Sequence, residues 1–264
     1  MPPTITSAAN PHIKRLRKLL TSAKARREEQ LAIAEGIHLV ESFLQTGTTP
    51  DQYICAQSAL GHPEVKALIE QLAQTTAQAI VVSNDIFSSL SSVHASVGIM
   101  IVFTPSQPAK FPETFTQTAV LLEDIQDPGN IGAILRVIAA TGLRQVFLSP
   151  DCASVWSPKA LRAGMGAQFS LMLYEEVDLL ALAKRSDIPV LATTLSGQSQ
   201  SLYTLDLTHP VLWTFGNEGQ GVSQQLINLA TTHVLIPQAT NTVESLNVAT
   251  AAAVCLYEQF RQTT

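Results

Sequence analysis

Phe215-Gly216-Asn217-Glu218-Gly219-Gln220-Gly221-Val222-Ser223 closes the apolar run Val211–Phe215 and opens a helical pattern over Val222–Ala230. A short uncharged run, a polar glycine-bearing turn and a helix make the unit from which buried parallel sheets are built. The same order recurs on both sides. Upstream stand the strand-like runs Ala119–Leu122, Val146–Leu148 and Val190–Thr194, and downstream stands Val234–Ile236. Helical patterns separate them at Ile131–Thr141, Pro158–Gly164, Glu175–Arg185 and Val222–Ala230, with a long closing one from Asn247 to Arg261. The spacing predicts an α/β domain, a parallel sheet covered by helices.

Ligands of such sheets sit beyond the carboxyl ends of the strands. Three polar turns fall there. The first is Glu123-Asp124-Ile125-Gln126-Asp127-Pro128-Gly129-Asn130, with Asn130 read as the cap of a helix whose apolar stripe is Ile131, Ile134, Leu135 and Ile138. Arg136 lies off that stripe. The second is the Gly216–Gly221 turn, and the third runs from Pro237 to Asn247. The glycines do not form the dinucleotide fingerprint, which belongs after a first strand. No Lys-Ser/Thr follows to make a phosphate loop. A nucleotide-binding oxidoreductase is excluded on the same ground.

The amino-terminal part reads as a smaller α/β domain. Asn10-Pro11 starts a capped helix with Ile13, Leu16, Leu19 and Leu20 on one face. A second helix is expected from Glu28 to Thr46. Tyr53–Ala56, Ala79–Val82 and Gly98–Phe103 read as strands, with a helix over Pro63–Gln74. Residues 104–117, TPSQPAKFPETFTQ, carry three prolines and few large apolar residues, as a linker does. The expected domains are 1–105 and 118–264, joined by 106–117.

Charge is unevenly placed. The net charge is −5, yet residues 1–27 hold Lys14, Arg15, Arg17, Lys18, Lys24, Arg26 and Arg27 and no acid. That balance excludes a protein coated in positive charge and leaves a local site for a polyanion. Lys14, Arg15, Lys18, Arg26 and Arg27 are the candidate contacts to that polyanion. Cys55, Cys152 and Cys255 are far apart and form no metal-spaced cluster, as expected of reduced cytoplasmic thiols. The start has no signal-peptide run, and no uncharged run reaches the ~20 residues of a membrane span. A cytoplasmic protein, with no membrane partner and no metal, is expected.

The three turns together carry a resemblance. Asn130-Ile131-Gly132-Ala133-Ile134-Leu135-Arg136 resembles the first motif of the SpoU/TrmH RNA methyltransferases. Phe215 to Ser223 resembles the second. Ile236-Pro237, Glu244-Ser245-Leu246-Asn247-Val248-Ala249 and Leu256-Tyr257-Glu258 resemble the third. They stand in the family's order across 119–262. Glu35-Gly36-Ile37-His38-Leu39-Val40-Glu41 resembles part of the ribosomal-protein-like substrate domain of members that act on 23S ribosomal RNA. Two departures are visible. Gly129 stands where many relatives carry His or Arg, and Gln238–Thr242 lacks a glycine that many carry.

The resemblance implies a 2′-O-ribose methyltransferase that uses S-adenosylmethionine. It also implies a trefoil knot in the carboxyl-terminal domain. Without it, the pattern would predict an open sheet, because threaded loops are rare. It places Thr194, Leu195, Gly216, Asn217, Gly219, Ile236 and Leu246 against the cofactor. Arg136 becomes the catalytic group, with Asn130, Glu218, Ser245 and Asn247 shaping the site and holding it. Arginine is a poor general base at a pKa above ~12, so activation of the ribose hydroxyl and stabilisation of its developing charge both stay open. The resemblance further implies a homodimer through the last helix, whose Val248, Ala251, Ala252, Cys255, Leu256 and Phe260 exceed one packing face. Ribosomal RNA is the expected substrate. Transfer RNA, or RNA binding without catalysis, are the alternatives.

Overall fold

A computed structural model describes residues 4–93, 96–108, 111–194, 199–239 and 244–264. Contacts divide the chain into two compact units. The first comprises residues 1–106 and 154–169, and the second comprises 107–153 and 170–264.

The first unit begins with α1 (Pro11–Thr21) and α2 (Ala23–Glu29) and continues through β1 (Ala32–Glu35), α3 (Ile37–Leu44), β2 (Gln52–Ala56) and α4 (Pro63–Leu72). Then come β3 (Gln78–Val82), α5 (Asn84–Leu90) and β4 (Ile99–Phe103). Its sheet has the order β1-β4-β2-β3. β4 runs antiparallel to both β1 and β2, and β2 runs parallel to β3. The single helix expected over Glu28–Thr46 is two helices with a strand between them. Gln30 ends α2 in the left-handed conformation, and Leu31-Ala32-Ile33-Ala34 then supplies a run buried on every residue from Ala32 on. Pairing of β1 with β4 overrides the helical propensity of this alanine-rich stretch.

The second unit carries β5 (Ala119–Leu122), α6 (Pro128–Ala140) and β6 (Gln145–Leu148). The chain then makes α7 (Pro158–Gly164), which counts with the first unit, and returns as β7 (Met172–Tyr174), α8 (Leu179–Lys184), β8 (Val190–Thr193) and β9 (Gln200–Ser201). It closes with β10 (Leu212–Phe215), α9 (Gln224–Leu229), β11 (Thr232–Leu235) and α10 (Val248–Thr263). Seven parallel strands lie in the order β7-β6-β5-β10-β8-β11-β9. β5 and β10 are buried at every residue, as uncharged runs between two helical layers must be. β7 and β9, of three and two residues, carry too little pattern to be read from sequence.

The linker composition assigns residues 154–169 to the second domain, but they pack into the first unit. Trp156 and Phe169 set their rings against Phe103, with centroids 6.0 and 5.4 Å away. α7 lies on β1. Burial of these aromatics, and of Val155 and Leu161, binds the segment to its unit.

Among the described residues no helix is long and apolar enough to cross a membrane. The three cysteines are free, and burial pushes the thiols of Cys55 and Cys255 up to about 12.

Candidate active site

The glycine-bearing turn leaves the carboxyl end of β10, the central strand. Gly216 has no room for a side chain. A Cβ there would lie 2.3 Å from the backbone of Gly221 and Val222. Gly221 itself takes a φ of +72°, where L side chains are strained. Asn217 locks the turn from inside. Its Oδ1 accepts from the N–H groups of Gly219 (2.8 Å) and Gln220 (3.0 Å). Its Nδ2 donates to the backbone oxygen of Asp124 (2.9 Å) and to Asp124 Oδ2 (3.1 Å).

Glu218, next in the turn, gathers the first motif. Its carboxylate accepts from the N–H groups of Gln126 (3.3 Å) and Asp127 (3.2 Å) and from Asn130 Nδ2 (2.9 Å). Asn130 Oδ1 accepts in turn from Asn247 Nδ2 (3.0 Å). Asn247 caps α10, taking the N–H of Ala249 (2.9 Å) on its Oδ1. One residue from each of the three motifs thus joins a single hydrogen-bonded chain. Burial pushes the Glu218 carboxyl up, but donation from Asn130, from its own backbone and from Asp127 and Gln126 outweighs this and holds it below the ordinary carboxylate range.

This geometry corrects the reading of Asn130 as a helix cap. The cap of α6 is Asp127, whose Oδ1 accepts from the Gly129 N–H at 2.6 Å, and Pro128 fills the first helical position. Asn130 therefore lies inside the first turn, and its amide is available to Glu218. Ile131, Ile134, Leu135 and Ile138 are buried, as expected of the stripe. Arg136 is exposed and makes no hydrogen bond or ion pair among the described residues. The expectation that Asn130, Glu218, Ser245 and Asn247 hold it is corrected. Glu218, Asn130 and Asn247 hold one another, and Glu218 and Ser245 line the cleft.

A cleft of about 400 Å³ opens beside this chain of amides, within the ~300–1,000 Å³ typical of small-molecule sites. Thr194, Gly216, Asn217, Gly219, Ile236 and Leu246 line it, as do Glu218 and Ser245. Leu195 lies outside the described residues, as do Thr240, Asn241 and Thr242 of the third turn. Val222, Ile227 and Val234 give the cleft an apolar wall. Glu218 and Glu244 put carboxylates on its lining, and no described lining residue is positively charged. No group of three His, Cys, Asp or Glu among the described residues is placed to hold a metal ion.

Sequence reasoning missed Glu123 and Asp124. The signal was present, since two adjacent acids directly after a buried strand stand at the ligand-binding edge. Glu123 Oε2 accepts from the Ser223 N–H at 2.7 Å, ahead of α9.

The basic segment of the first unit separates into two kinds of residue. Arg26 is 7% exposed, and its Nη1 donates to the backbone oxygens of Leu19 (2.7 Å) and Leu20 (3.5 Å), closing the end of α1. A side chain so placed caps a helix, which corrects its reading as an RNA contact. Arg15 pairs with Glu29 at 2.5 Å and Lys24 lies 3.7 Å from Glu28, so acids just past residue 27 offset part of the charge. Lys14, Lys18 and Arg27 are exposed.

The model of the SpoU rRNA Methylase family matches residues 117–257. The chain belongs to the SpoU rRNA methylase family. Ahead of this SpoU methylase region, residues 10–100 match the MRM3-like substrate binding domain. A tRNA/rRNA methyltransferase of Synechocystis, described as uncharacterized, is 34% identical over 98% of this chain and 94% of its own length. A Bacillus subtilis 23S rRNA (guanosine(2553)-2′-O)-methyltransferase is 29% identical over 96% of this chain and 97% of its own. Among solved structures, an AdoMet-bound rRNA methyltransferase from Sinorhizobium meliloti superposes with a TM-score of 0.86 at 26% identity, covering 99% of this SpoU methylase and 98% of that chain.

Proposed function

We propose that this protein transfers a methyl group from S-adenosylmethionine to a ribose 2′-hydroxyl of 23S ribosomal RNA. The observation that carries this reading is the Glu218–Asn130–Asn247 chain beside a cofactor-sized cleft. Residues with only structural duties in three separate helices and turns would not need to meet there.

The cleft fits the cofactor. Its apolar wall suits an adenosine, the backbone groups of Thr194, Gly216 and Ile236 directly after β8, β10 and β11, with Leu246 ahead of α10, can bond a purine edge, and carboxylates without a cation suit a positively charged sulfonium. Bound there, S-adenosylmethionine supplies an electrophilic methyl group. This chain does the rest. Arg136 stabilises negative charge as it builds on the ribose oxygen, a role its fixed positive charge suits better than proton abstraction. Glu218, Asn130 and Asn247 fix the first helix turn of α6 against the glycine turn and α10, and so hold the backbone that carries Arg136. Ser245 lines the cofactor side. The substrate-binding family match and the Bacillus relative favour ribosomal over transfer RNA. The intact set of site residues argues against a binder without activity.

The first unit, residues 1–106 with 154–169, serves as the RNA-binding domain, and Lys14, Lys18 and Arg27 reach phosphates. The segment from β11 to α10 threads the trefoil knot of the family. Support comes from the sheet order, since α10 packs on α6 although β11 lies beyond β10 and β8. The protein works in the cytoplasm as a homodimer through α10. Ala252, Cys255 and Leu256 are already covered within the chain, so the pairing surface centres on Tyr257 and Phe260, which are 49% and 37% exposed. A monomer mass by light scattering at micromolar concentration would contradict the dimer.

Titration calorimetry on the full chain tests the reading. Saturable S-adenosylmethionine binding that is lost in Leu246→Asp is expected. No binding by the folded wild-type chain would contradict it.

A further inference from the structure

The cofactor turn is tied at both ends to one place, the two acids that follow β5. Asp124 holds its start. It accepts from Asn217 Nδ2 twice, on its backbone oxygen at 2.9 Å and on Oδ2 at 3.1 Å. Asn217 is the residue that caps the N–H groups of Gly219 and Gln220 within the turn. Glu123 holds the far end, through the Ser223 N–H at 2.7 Å. Asp124 is itself constrained. Its φ is +52°, in the left-handed region that non-glycine residues rarely enter and that Asp and Asn tolerate best. Its N–H donates to Ser149 Oγ at 2.9 Å, and its Oδ1 accepts from Gln126 Nε2 at 3.0 Å. A strained conformation with every polar atom engaged persists only where its surroundings impose it, and such residues gather at functional sites.

We infer that Asp124, assisted by Glu123, is a positioning residue that sets cofactor affinity by clamping the Gly216–Gly221 turn in its binding shape. The inference rests on the reading of the cleft as the S-adenosylmethionine site. Its physical basis is preorganisation. Asn217, Glu218, Gly219 and Gln220 line the cleft, and a turn already held open needs no ordering when the ligand arrives. Asp124 acts through Asn217 and touches no reacting atom, so the loss falls on cofactor binding rather than on the chemical step.

Three substitutions separate the two properties of Asp124. Asp124→Asn keeps an acceptor and tolerates the left-handed backbone. Asp124→Gly keeps the backbone conformation and loses the side-chain acceptor. Asp124→Ala loses both. The readouts on the full-length protein are the Kd for S-adenosylmethionine by calorimetry, the thermal midpoint, and kcat against cofactor KM in methyl transfer to ribosomal RNA.

A hydrogen bond to a charged acceptor corresponds to roughly tenfold in an equilibrium constant or somewhat more. Asp124→Gly is therefore expected to raise Kd and cofactor KM about tenfold with kcat at saturation within about twofold. Asp124→Ala should raise them further, and Asp124→Asn should restore them to within about threefold. A merely structural role would lower the midpoint without splitting KM from kcat, and would overturn the inference. A wild-type Kd in Asp124→Gly would overturn it as well. If the unaltered chain binds S-adenosylmethionine and the glycine variant binds equally, the clamp alone fails. If the unaltered chain binds none, the reading of the cleft fails with it.

Discussion

Arg136 separates fold from chemistry most cleanly. It is exposed, contributes nothing to the apolar stripe of α6, and its side chain makes no hydrogen bond or ion pair among the described residues. Arg136→Ala should therefore cost under ~0.5 kcal/mol of stability. Removing charge stabilisation from the transition state should still slow methyl transfer on the order of 100-fold, with cofactor binding intact. Single-turnover transfer under saturating cofactor reads this directly. Arg136→Lys keeps the charge and loses the planar fork, so partial rescue supports an electrostatic role and no rescue a geometric one. Near-normal rates for the alanine variant would remove Arg136 from the mechanism. The residue was singled out by the resemblance of Asn130–Arg136 to the family's first motif, since its place off the apolar stripe is also that of any surface arginine. The part played by Asn130 was not legible. An asparagine at the start of a helix reads as a cap, and only Asp127 and Pro128 taking up the cap and first position free it for Glu218.

At the scale of elements, the turn after β10 and the end of α1 each make a prediction. In Gly216→Ala the new methyl would meet backbone at 2.3 Å, which no rotamer relieves. Overpacking of this kind costs typically ~1–3 kcal/mol, and each kcal/mol lowers the midpoint of a domain this size by about 2–4 °C. A midpoint lowered by several degrees and a weakened Kd for S-adenosylmethionine are expected. An unchanged midpoint would show that the turn yields. On α1, Arg26→Ala should destabilise by about 1–3 kcal/mol, because it leaves the Leu19 and Leu20 carbonyls uncapped, and should leave the salt dependence of RNA binding unaltered. Lys14→Ala with Lys18→Ala should do the reverse, flattening the log–log salt slope by roughly one for each phosphate no longer neutralised. Equal slopes for wild type and the lysine pair would make this face merely solvated. These cations look alike in the sequence, since burial of Arg26 depends on how α2 folds back on α1. Periodicity also runs one helix through β1, because a four-residue strand buried on all sides has no alternation and its alanines favour helix. The buried strands of the second unit were legible for the opposite reason. Uncharged runs between polar turns admit few other readings.

For the whole molecule, the linker composition located the end of the first continuous segment near Ser106, but nothing local in residues 154–169 announced that they would join the same unit. That association rests on Trp156 and Phe169 meeting Phe103, a long-range packing invisible to periodicity. A chain that begins near residue 105 would strip α7 of its partners, so tests of function belong on the intact protein. The family motifs carried the functional reading further than pattern could, because Glu218, Asn130 and Asn247 are distant in sequence and meet only through the order of the sheet. Methylation of a ribose 2′-hydroxyl of large-subunit ribosomal RNA is what the sites and the relatives point to. Mass mapping of 2′-O-methyl groups in 23S ribosomal RNA, from cells with and without the protein, tests it most directly. One nucleotide is expected to lose its 2′-O-methyl group with the protein and to regain it with the wild-type chain but not with Arg136→Ala. A 23S methylation map unchanged by loss of the protein would contradict it.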